Sequence, residues 1–360
     1  MLEINKTLPR GDIYPAELVS KGLPPILFDI ETTGLGAKTA YIYLIGALEI
    51  KRDRLVFRQW FAEGPADEKL LIESFLSWLP DRSCLISFNG RGFDVPFIVQ
   101  RCKHYDIPCF LPQMPDVDLY RVLAPLKNYF NMTSRRLVAY EKLIGLERED
   151  KYNGGELIEV YKEYVGKKKF APKEAESLKE MLLLHNEEDI TDMVPVMNLL
   201  TFIDLINGNF TSAGYSSVGS ELVLEIEGAS DFPLTHSRTI ATLPQIPQIK
   251  VSTCGRRATI HVPVLNCRLR HYFNDYKDYY YLPEEDMAIH KSIASSVSPD
   301  HRVQATKSTA FSYAETEFIP QFSKLQPEFK QDINDITGFL PLSELNSEEK
   351  IKTYIKGLFK

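Results

Sequence analysis

Four acidic side chains, far apart in the sequence, stand in contexts that could form one metal site. They are Asp29, Glu31, Asp94 and Asp189. Four carboxylates that converge in one place repel each other strongly unless divalent cations hold them. His185 lies four residues before the last of them, and a carboxylate cluster beside an imidazole suits metal-assisted attack on a phosphodiester. The residue types therefore predict a nuclease.

The acidic pair Asp29 and Glu31 is unusual for a buried strand. Residues 26–31 alternate apolar and acidic side chains, and side chains of a strand alternate between its faces. Both acids should therefore lie on one face of a sheet. Burial of an unpaired carboxylate costs several kcal/mol, which favours a metal-binding role. The alternative is a strand end, with both acids solvated beside the turn at residues 34–36.

The other two acids are expected at helices. Asp94 opens a predicted helix after the glycine-containing loop 89–92, where an acid is also a common helix cap. His185 and Asp189 are four residues apart in a strongly helical segment and so share one face. The aspartate could then bind metal while the imidazole reaches the attacking water. The alternative for this acidic run is a solvated helix surface.

Alternating strands and helices predict an α/β layered first domain. A helical pattern from residue 133 to about 207 follows it, and Pro195 should kink or break that segment. Asp67 is expected to cap the first long helix. The predicted strands cover residues 26–31, 41–50, 54–61 and 84–88, and the predicted early helices cover residues 67–79 and 93–102.

A chain of 360 residues suggests two domains. The character of the sequence changes near residue 208, which predicts a first domain over residues 1–207 and a smaller, β-rich accessory domain over residues 208–360. Short alternating runs between residues 210 and 283 indicate strands. A helix is expected near Glu284–Ser296.

Composition sets limits on the class of protein. The net charge of −7 gives no overall basic field to hold nucleic acid, although a local basic patch remains compatible with it. Five cysteines fit no paired disulfide framework, and Cys102, His104 and Cys109 lack the second ligand pair of a typical zinc site. The sequence shows no signal peptide and no apolar run of about 20 residues, so we expect a cytoplasmic protein that does not enter a membrane.

Together, the order and type of these residues resemble the DEDD 3′–5′ exonuclease superfamily, whose members have a ribonuclease H-like fold. Its members carry an Asp-x-Glu motif on the first strand, which Asp29 and Glu31 match. An aspartate after an Asn-Gly-type loop is matched by Asp94. A last aspartate preceded by His or Tyr is matched by Asp189 with His185.

The resemblance covers about residues 24–205, and it is closest to bacterial ribonuclease H-like domain proteins whose biological task is poorly defined. The four-residue spacing from His185 to Asp189 is that of the tyrosine subclass, although the residue is the histidine of the other subclass. Asp118 resembles a further acidic position that follows the second motif, and we expect it to support the site rather than bind metal.

The resemblance implies a two-metal mechanism with Mg²⁺ or Mn²⁺. Asp29 would bridge the two ions, Glu31 and Asp189 would complete one, and Asp94 would orient the other through water. His185 would accept or position the proton of the attacking water. The implied reaction is hydrolysis of single-stranded DNA or RNA from its 3′ end. A structure-selective endonuclease and a catalytically silent nucleic-acid-binding module are the alternatives.

Substrate contacts are expected from a few polar, aromatic and basic side chains. Asn89 and Phe93 flank Asp94 and could touch a nucleotide, and Arg135 and Arg136 could meet phosphates. In the second domain an aromatic run at residues 272–281 lies next to basic residues. Such a run suits stacking on unpaired bases, but it is also what a small β-domain uses to fill its core or to dock.

Overall fold

The computed structural model describes residues 1–80, 82–243, 246–323 and 325–359, which form two compact units. The first is Met1–Ile203 and the second is Asp204–Lys360. The division lies inside a helix, close to but not at the boundary expected after residue 207. The expected domain limits, residues 1–207 and 208–360, remain a prediction.

A six-stranded mixed sheet forms the centre of the first unit. Its order is β1-β4-β3-β2-β5-β6, in which β2 pairs antiparallel with β3 and parallel with β5. This is the predicted α/β class, and the expected strands at residues 26–31, 41–50, 54–61 and 84–88 are confirmed. The strands are β1 Leu2–Pro9, β2 Pro25–Thr32, β3 Ile42–Ile50, β4 Arg54–Phe61, β5 Cys84–Ser87 and β6 Asp116–Asp118.

Helices surround this sheet, and several have clear start signals. Asn153 caps α7 in a capping box with Glu156, and Pro172 occupies the first turn of α8. The helices are α1 Ala16–Val19, α2 Glu68–Trp78, α3 Asp94–His104, α4 Leu119–Val122, α5 Leu126–Tyr129, α6 Leu137–Leu143, α7 Gly154–Lys167, α8 Pro172–Thr191, α9 Met193–Val196 and α10 Leu200–Asn207.

Two of the longer helices cover opposite faces of β2. Phe28 stacks against Phe75 of α2, with ring centroids 6.0 Å apart. The next residue, Asp29, accepts a hydrogen bond from Asn186 of α8. Since successive side chains of a strand point to opposite faces, α2 covers the apolar face and α8 covers the face with the acids.

The helix predictions for the first unit hold, with one difference in detail. The long helical segment breaks where expected, because α8 ends at Thr191 and Pro195 lies in the separate α9. Asp67, however, makes no side-chain capping bond to α2. Its carboxylate instead accepts the backbone N–H of Glu63 at 2.9 Å and pairs with the amino group of Met1 at 2.7 Å. The capping prediction for Asp67 was wrong because these closer donors engage the carboxylate.

A buried ion pair ties α3 to α2 and β3. Glu68 is fully buried, and Arg101 contacts it through Nε at 2.7 Å and Nη2 at 2.5 Å. Glu68 also accepts the backbone N–H of Ile42 at 2.8 Å and the hydroxyl of Tyr105 at 2.8 Å. These bonds compensate the cost of burying both charges.

The second unit is rich in β structure, as predicted. A five-stranded antiparallel sheet has the order β7-β8-β11-β10-β9, and two three-stranded sheets have the orders β12-β16-β17 and β14-β13-β15. Its elements are β7 Ser212–Val218, β8 Glu221–Glu227, β9 His236–Leu243, β10 Ile246–Cys254, β11 Arg257–Pro263, β12 Leu265–Tyr272, β13 Tyr279–Leu282, β14 Met287–His290, β15 Val303–Gln304, β16 Phe311–Gln321, β17 Gly338–Pro341 and α11 Glu348–Leu358.

The helix expected near Glu284–Ser296 was wrong. Met287–His290 is strand β14, and Lys291–Ser296 forms a 3₁₀ helix. Strand β14 pairs with β13, whose sequence Tyr279–Leu282 is aromatic and has high strand propensity. Residues 283–286 form a turn that joins β13 and β14 in a hairpin, and this local pairing replaces the expected helix.

The described residues lack two features that the sequence raised. No helix among them combines the length and the apolar character needed to cross a membrane. All five cysteines are free thiols, and Cys102, His104 and Cys109 do not form a group of potential metal ligands. The expected cytoplasmic location stays a prediction.

We expect Arg101→Met to lower the free energy of unfolding by about 3–5 kcal/mol, because it leaves the carboxylate of Glu68 buried without its partner. Urea unfolding followed by circular dichroism measures this loss. As a matched control, Glu73→Gln breaks the exposed 3.9 Å pair with Lys69 and should cost less than about 1 kcal/mol. Equal losses in the two variants would contradict a structural role for the buried pair.

Candidate active site

The central strand β2 presents Asp29 and Glu31 to α8. In the register with β3, Asp29 lies opposite Gly46 and Glu31 opposite Leu44. Asn186 of α8 donates to Asp29 Oδ2 at 3.1 Å, and His185 Nε2 lies 3.5 Å from Glu31 Oε1. Both acids therefore lie on one face, as the period of the strand predicted.

Gly46 allows α8 to approach the sheet closely enough for these contacts. A Cβ atom at this position would lie 2.1 Å from Asn186 Oδ1 and 2.3 Å from Ile190 Cδ1. Asn186 is fully buried, and Gln59 of β4 donates to its Oδ1 at 3.1 Å. Since the oxygen of the Asn186 amide accepts this bond, its N–H group is free to donate to Asp29. Gly46, Asn186 and Gln59 together fix Asp29 at the centre of the sheet.

Glu31, His185 and Asp189 form a compact group of ionisable side chains in the site. One potential ligand atom from each lies within 4.8 Å of the others. His185 Nε2 is 3.4 Å from Asp189 Oδ2. The two residues are four apart on α8 and therefore lie on the same face of the helix. Glu31 and His185 are buried, at 8% and 6% exposure, so water screens their charges weakly.

Asp94 lies at the start of α3, next to the middle of β2. Its Oδ1 accepts the backbone N–H of Ile30 at 3.1 Å, and the residue is buried. Phe93, rather than Asp94, occupies the cap position of the helix. Ile30 lies between Asp29 and Glu31 in the sequence. The hydrogen bond to Ile30 therefore holds Asp94 beside these two acids, and its role is not limited to the first turn of α3.

Burial and mutual repulsion disfavour the ionised forms of these acids. Burial raises the pKa of Glu31 to about 8, although the nearby His185 opposes this. Burial also raises the pKa of Asp94 to about 7. The pKa of Asp29 lies well above its usual range, through burial and then through repulsion by Asp94, Asp189 and Glu31. The four acids therefore influence one another as a single cluster.

The segment Arg148–Asp150 packs on the same turn of α8, and sequence reasoning missed it. Arg148 Nη2 lies 2.6 Å from Asp189 Oδ1 and 2.5 Å from Glu141 Oε1. Asp150 Oδ2 lies 2.6 Å from His185 Nδ1. In sequence the segment is a short charged run before the cap of α7, which is typical of a solvated loop. No spacing signal links it to α8, so only the fold could reveal these contacts.

The predicted substrate-contacting residues are spread over two loops. Asn89 is exposed with φ +70°, and its N–H donates to Asp118 at 2.9 Å. Phe93 is half-buried and contacts the ring of Phe97 at 5.5 Å. Asp118 also caps α4 and so supports the loop, as expected.

The two arginines differ in their surroundings. Arg135 lies over the ring of Tyr120 at 4.3 Å and donates to its hydroxyl at 2.7 Å. Arg136 is exposed at the start of α6. Lys167, the first of three consecutive lysines, pairs with Glu163 and Glu174, so its charge is already engaged by neighbouring acids.

The aromatic run of the second unit is only half-buried, while the small core beside it uses other side chains. Tyr272, Phe273, Tyr276, Tyr279, Tyr280 and Tyr281 are all of intermediate exposure. The core residues are Leu269, Phe318, Phe329 and Phe339. Phe273 and Tyr279 stack on each other, with centroids 4.3 Å apart. The run lies outside this small core, but Tyr272 and Tyr281 pack on the buried ring of Phe311, with centroids 5.5 Å and 6.3 Å away.

The cluster of acids fits divalent cations. Buried carboxylates of raised pKa lack compensating positive charge, and nearby cations would supply it. Carboxylate oxygens favour Mg²⁺ or Mn²⁺, and the imidazole of His185 adds one nitrogen at the edge of the set. Glu31, His185 and Asp189 place potential ligand atoms close enough together to hold one ion.

Sequence comparison agrees with the fold. Residues 26–201, just under half of the chain, match the model of the ribonuclease H (RNase H) superfamily. This part of the chain is therefore similar to that superfamily, and the matched residues include all four acids and His185. The expected ribonuclease H-like fold of the first domain is confirmed.

Relatives of known sequence or structure are distant or partial. Over 97 residues the chain is 35% identical to the uncharacterized protein YprB of Bacillus subtilis strain 168, covering 27% of this chain and 23% of that protein. The family B DNA polymerase of the archaeon Pyrobaculum calidifontis has 13% identity and a TM-score of 0.40, covering 73% of this chain and 39% of that one. An E. coli ExoI–ssDNA complex with zinc has 10% identity and a TM-score of 0.32, covering 56% and 54%. With TM-scores this low, these similarities do not indicate the activity of this chain.

We expect Gly46→Ala to push α8 away from the sheet, because the added methyl group overlaps Asn186 and Ile190. The predicted loss of stability is about 1–3 kcal/mol, and Mn²⁺ binding measured by calorimetry should weaken as well. Gly166→Ala is the control, since nothing lies within 4 Å of its added Cβ in α7. That change should be neutral or slightly stabilising. An unchanged Mn²⁺ affinity in Gly46→Ala would contradict the positioning role of the glycine.

The metal-free protein should lose stability as the pH rises from about 5 to about 9. The folded-state pKa values of Glu31 and Asp94, about 8 and about 7, exceed the ordinary values of 4.5 and 3.8. The folded protein thus keeps protons that the unfolded chain has released, and this advantage disappears as the pH passes the folded values. At about 1.4 kcal/mol per pH unit for each group, urea unfolding in EDTA should show a decrease of roughly 4–7 kcal/mol. Asp94→Asn should flatten the dependence, and an equally steep dependence in this variant would contradict the assignment.

Proposed function

We propose that this protein is a metal-dependent nuclease, and more specifically a 3′–5′ exonuclease of single-stranded DNA or RNA. One observation carries the proposal: buried acids of β2 and α3 meet the imidazole and the aspartate of α8 inside an RNase H superfamily domain. A purely structural role gives no reason to bury several carboxylates with raised pKa values side by side.

In this proposal Asp29, Glu31, Asp94 and Asp189 hold two Mg²⁺ or Mn²⁺ ions. When bound, such ions would supply positive charge next to the scissile phosphate and would lower the pKa of a water ligand. The protein fixes the ligands beforehand, since Asn186 holds Asp29 and the N–H of Ile30 holds Asp94. Preorganised ligands of this kind need little rearrangement during the reaction.

His185 is the proposed general base. Its Nε2 faces Glu31 and Asp189, and it is the ring nitrogen directed at the site. Burial alone would lower the pKa of His185, but Asp189, Glu31 and Asp150 outweigh it and raise the pKa. The imidazole can thus take a proton from the water that attacks phosphorus, while the P–O3′ bond breaks.

Substrate contacts are proposed at the loop before α3 and at α6. Asn89 and Arg136 are exposed and could reach the phosphates or bases of a strand end. Phe93 offers a half-buried ring beside Asp94. Arg135 is the fourth proposed contact, and its guanidinium is already oriented by Tyr120.

We expect Asp29→Asn to abolish Mn²⁺-dependent hydrolysis of labelled single-stranded DNA and RNA, because it removes the carboxylate at the centre of the cluster. The fold should remain, which circular dichroism and thermal unfolding test. Glu180→Gln is the matched control, since it removes an exposed carboxylate from α8 without touching the site. Full turnover by Asp29→Asn would refute the assignment.

The direction of cleavage is tested with the same preparation. A 5′-labelled strand should give a ladder that shortens from the 3′ end, and circular single-stranded DNA should resist cleavage. Cleavage of the circle would favour the endonuclease alternative. Absence of hydrolysis of any substrate, with intact Mn²⁺ binding, would favour the silent binding module.

A further inference from the structure

We propose that Asp150 is a positioning residue that sets the orientation and the proton-bearing nitrogen of His185; this inference rests on the proposed function. Asp150 was not among the residues expected in the site. It reaches α8 from the loop between α6 and α7, 35 residues before the histidine. Both side chains are buried, at 3% and 7% exposure.

The geometry gives the two ring nitrogens different tasks. Asp150 Oδ2 is 2.6 Å from Nδ1, close enough for a strong hydrogen bond in which Nδ1–H donates to the carboxylate. A neutral imidazole then carries its proton on Nδ1, and Nε2 has a free lone pair. Nε2 lies 3.5 Å from Glu31 and 3.4 Å from Asp189, so the lone pair is directed toward the acids. A proton acceptor is needed at that position.

The loop that carries Asp150 is itself held against α8. Glu188 of α8 accepts the backbone N–H groups of Glu149 at 2.8 Å and of Asp150 at 3.0 Å. Arg148 joins Asp189 to Glu141 through contacts of 2.6 Å and 2.5 Å. These contacts fix the backbone from which the carboxylate projects, which keeps the Asp150–His185 bond in one geometry.

The alternative is that Asp150 only stabilises its own loop. Its Oδ1 accepts the backbone N–H of Tyr152 at 3.2 Å, a local turn bond of the kind that aspartate and asparagine both make. Asp150→Asn separates the two roles, since the amide oxygen can keep the bond to Tyr152 while the negative charge facing His185 is lost. The substitution is also nearly isosteric, so the fold should persist.

We expect Asp150→Asn to lower kcat about 10- to 100-fold with KM, Mn²⁺ affinity and thermal stability nearly unchanged. Asp150→Glu, which keeps the carboxylate, should recover part of kcat. Glu147→Gln is the control, because it removes an exposed acid from the same loop. An unchanged kcat in Asp150→Asn, or a proportional loss of Mn²⁺ affinity and stability, would overturn the proposal in favour of a structural role.

A second readout does not depend on turnover. The ¹⁵N shifts of the histidine rings, measured with Mg²⁺ present at a pH at which the ring is neutral, report which nitrogen bears the proton. The protein has seven histidines, and the signals of His185 are those lost in His185→Gln. We expect the proton on Nδ1 in the native protein and a loss of this preference in Asp150→Asn. An identical pattern in both would refute the role of Asp150, whereas absence of hydrolysis with the expected pattern would refute only the nuclease proposal.

Discussion

The close packing of α8 on the sheet at Gly46 is the constraint on which the candidate site depends. Without that approach Asn186 could not reach Asp29, and His185 and Asp189 would not meet Glu31. The contact is energetically demanding, because it places like charges together in a poorly solvated place. The fully buried amide of Asn186 and the guanidinium of Arg148 offset part of that demand through hydrogen bonds and opposite charge.

Much of the first unit could be predicted from the sequence, because local patterns determine it. Alternation along β2 placed Asp29 and Glu31 on one face, and the four-residue spacing on α8 placed His185 beside Asp189. Both inferences need only the geometry of a single element. The similarity of residues 26–201 to the RNase H superfamily was also recognisable from the order and type of the acids along the chain.

Contacts between elements were beyond such patterns. The sequence around Arg148 and Asp150 does not indicate that their loop packs against α8. The presence of Gly46 in a strand likewise does not indicate which helix packs closely against it. The two failures have different origins. Asp67 was predicted to cap its own helix, but its partners Met1 and Glu63 lie outside that helix. Met287–His290 was predicted to be helical because the turn at residues 283–286, which joins β13 and β14 in a hairpin, was not recognised.

The ends of two helices meet the site with opposite polarity. Asp94 is the first residue of α3, where the partial positive charge of the helix dipole stabilises a carboxylate. Asp189 lies in the last turn of α8, where the partial negative charge of the dipole destabilises a carboxylate but attracts a cation. A cation beside Asp189 and Glu31 would therefore be held more firmly than one beside Asp94. The two ion positions of the proposed site should then fill in sequence rather than together as the metal concentration rises.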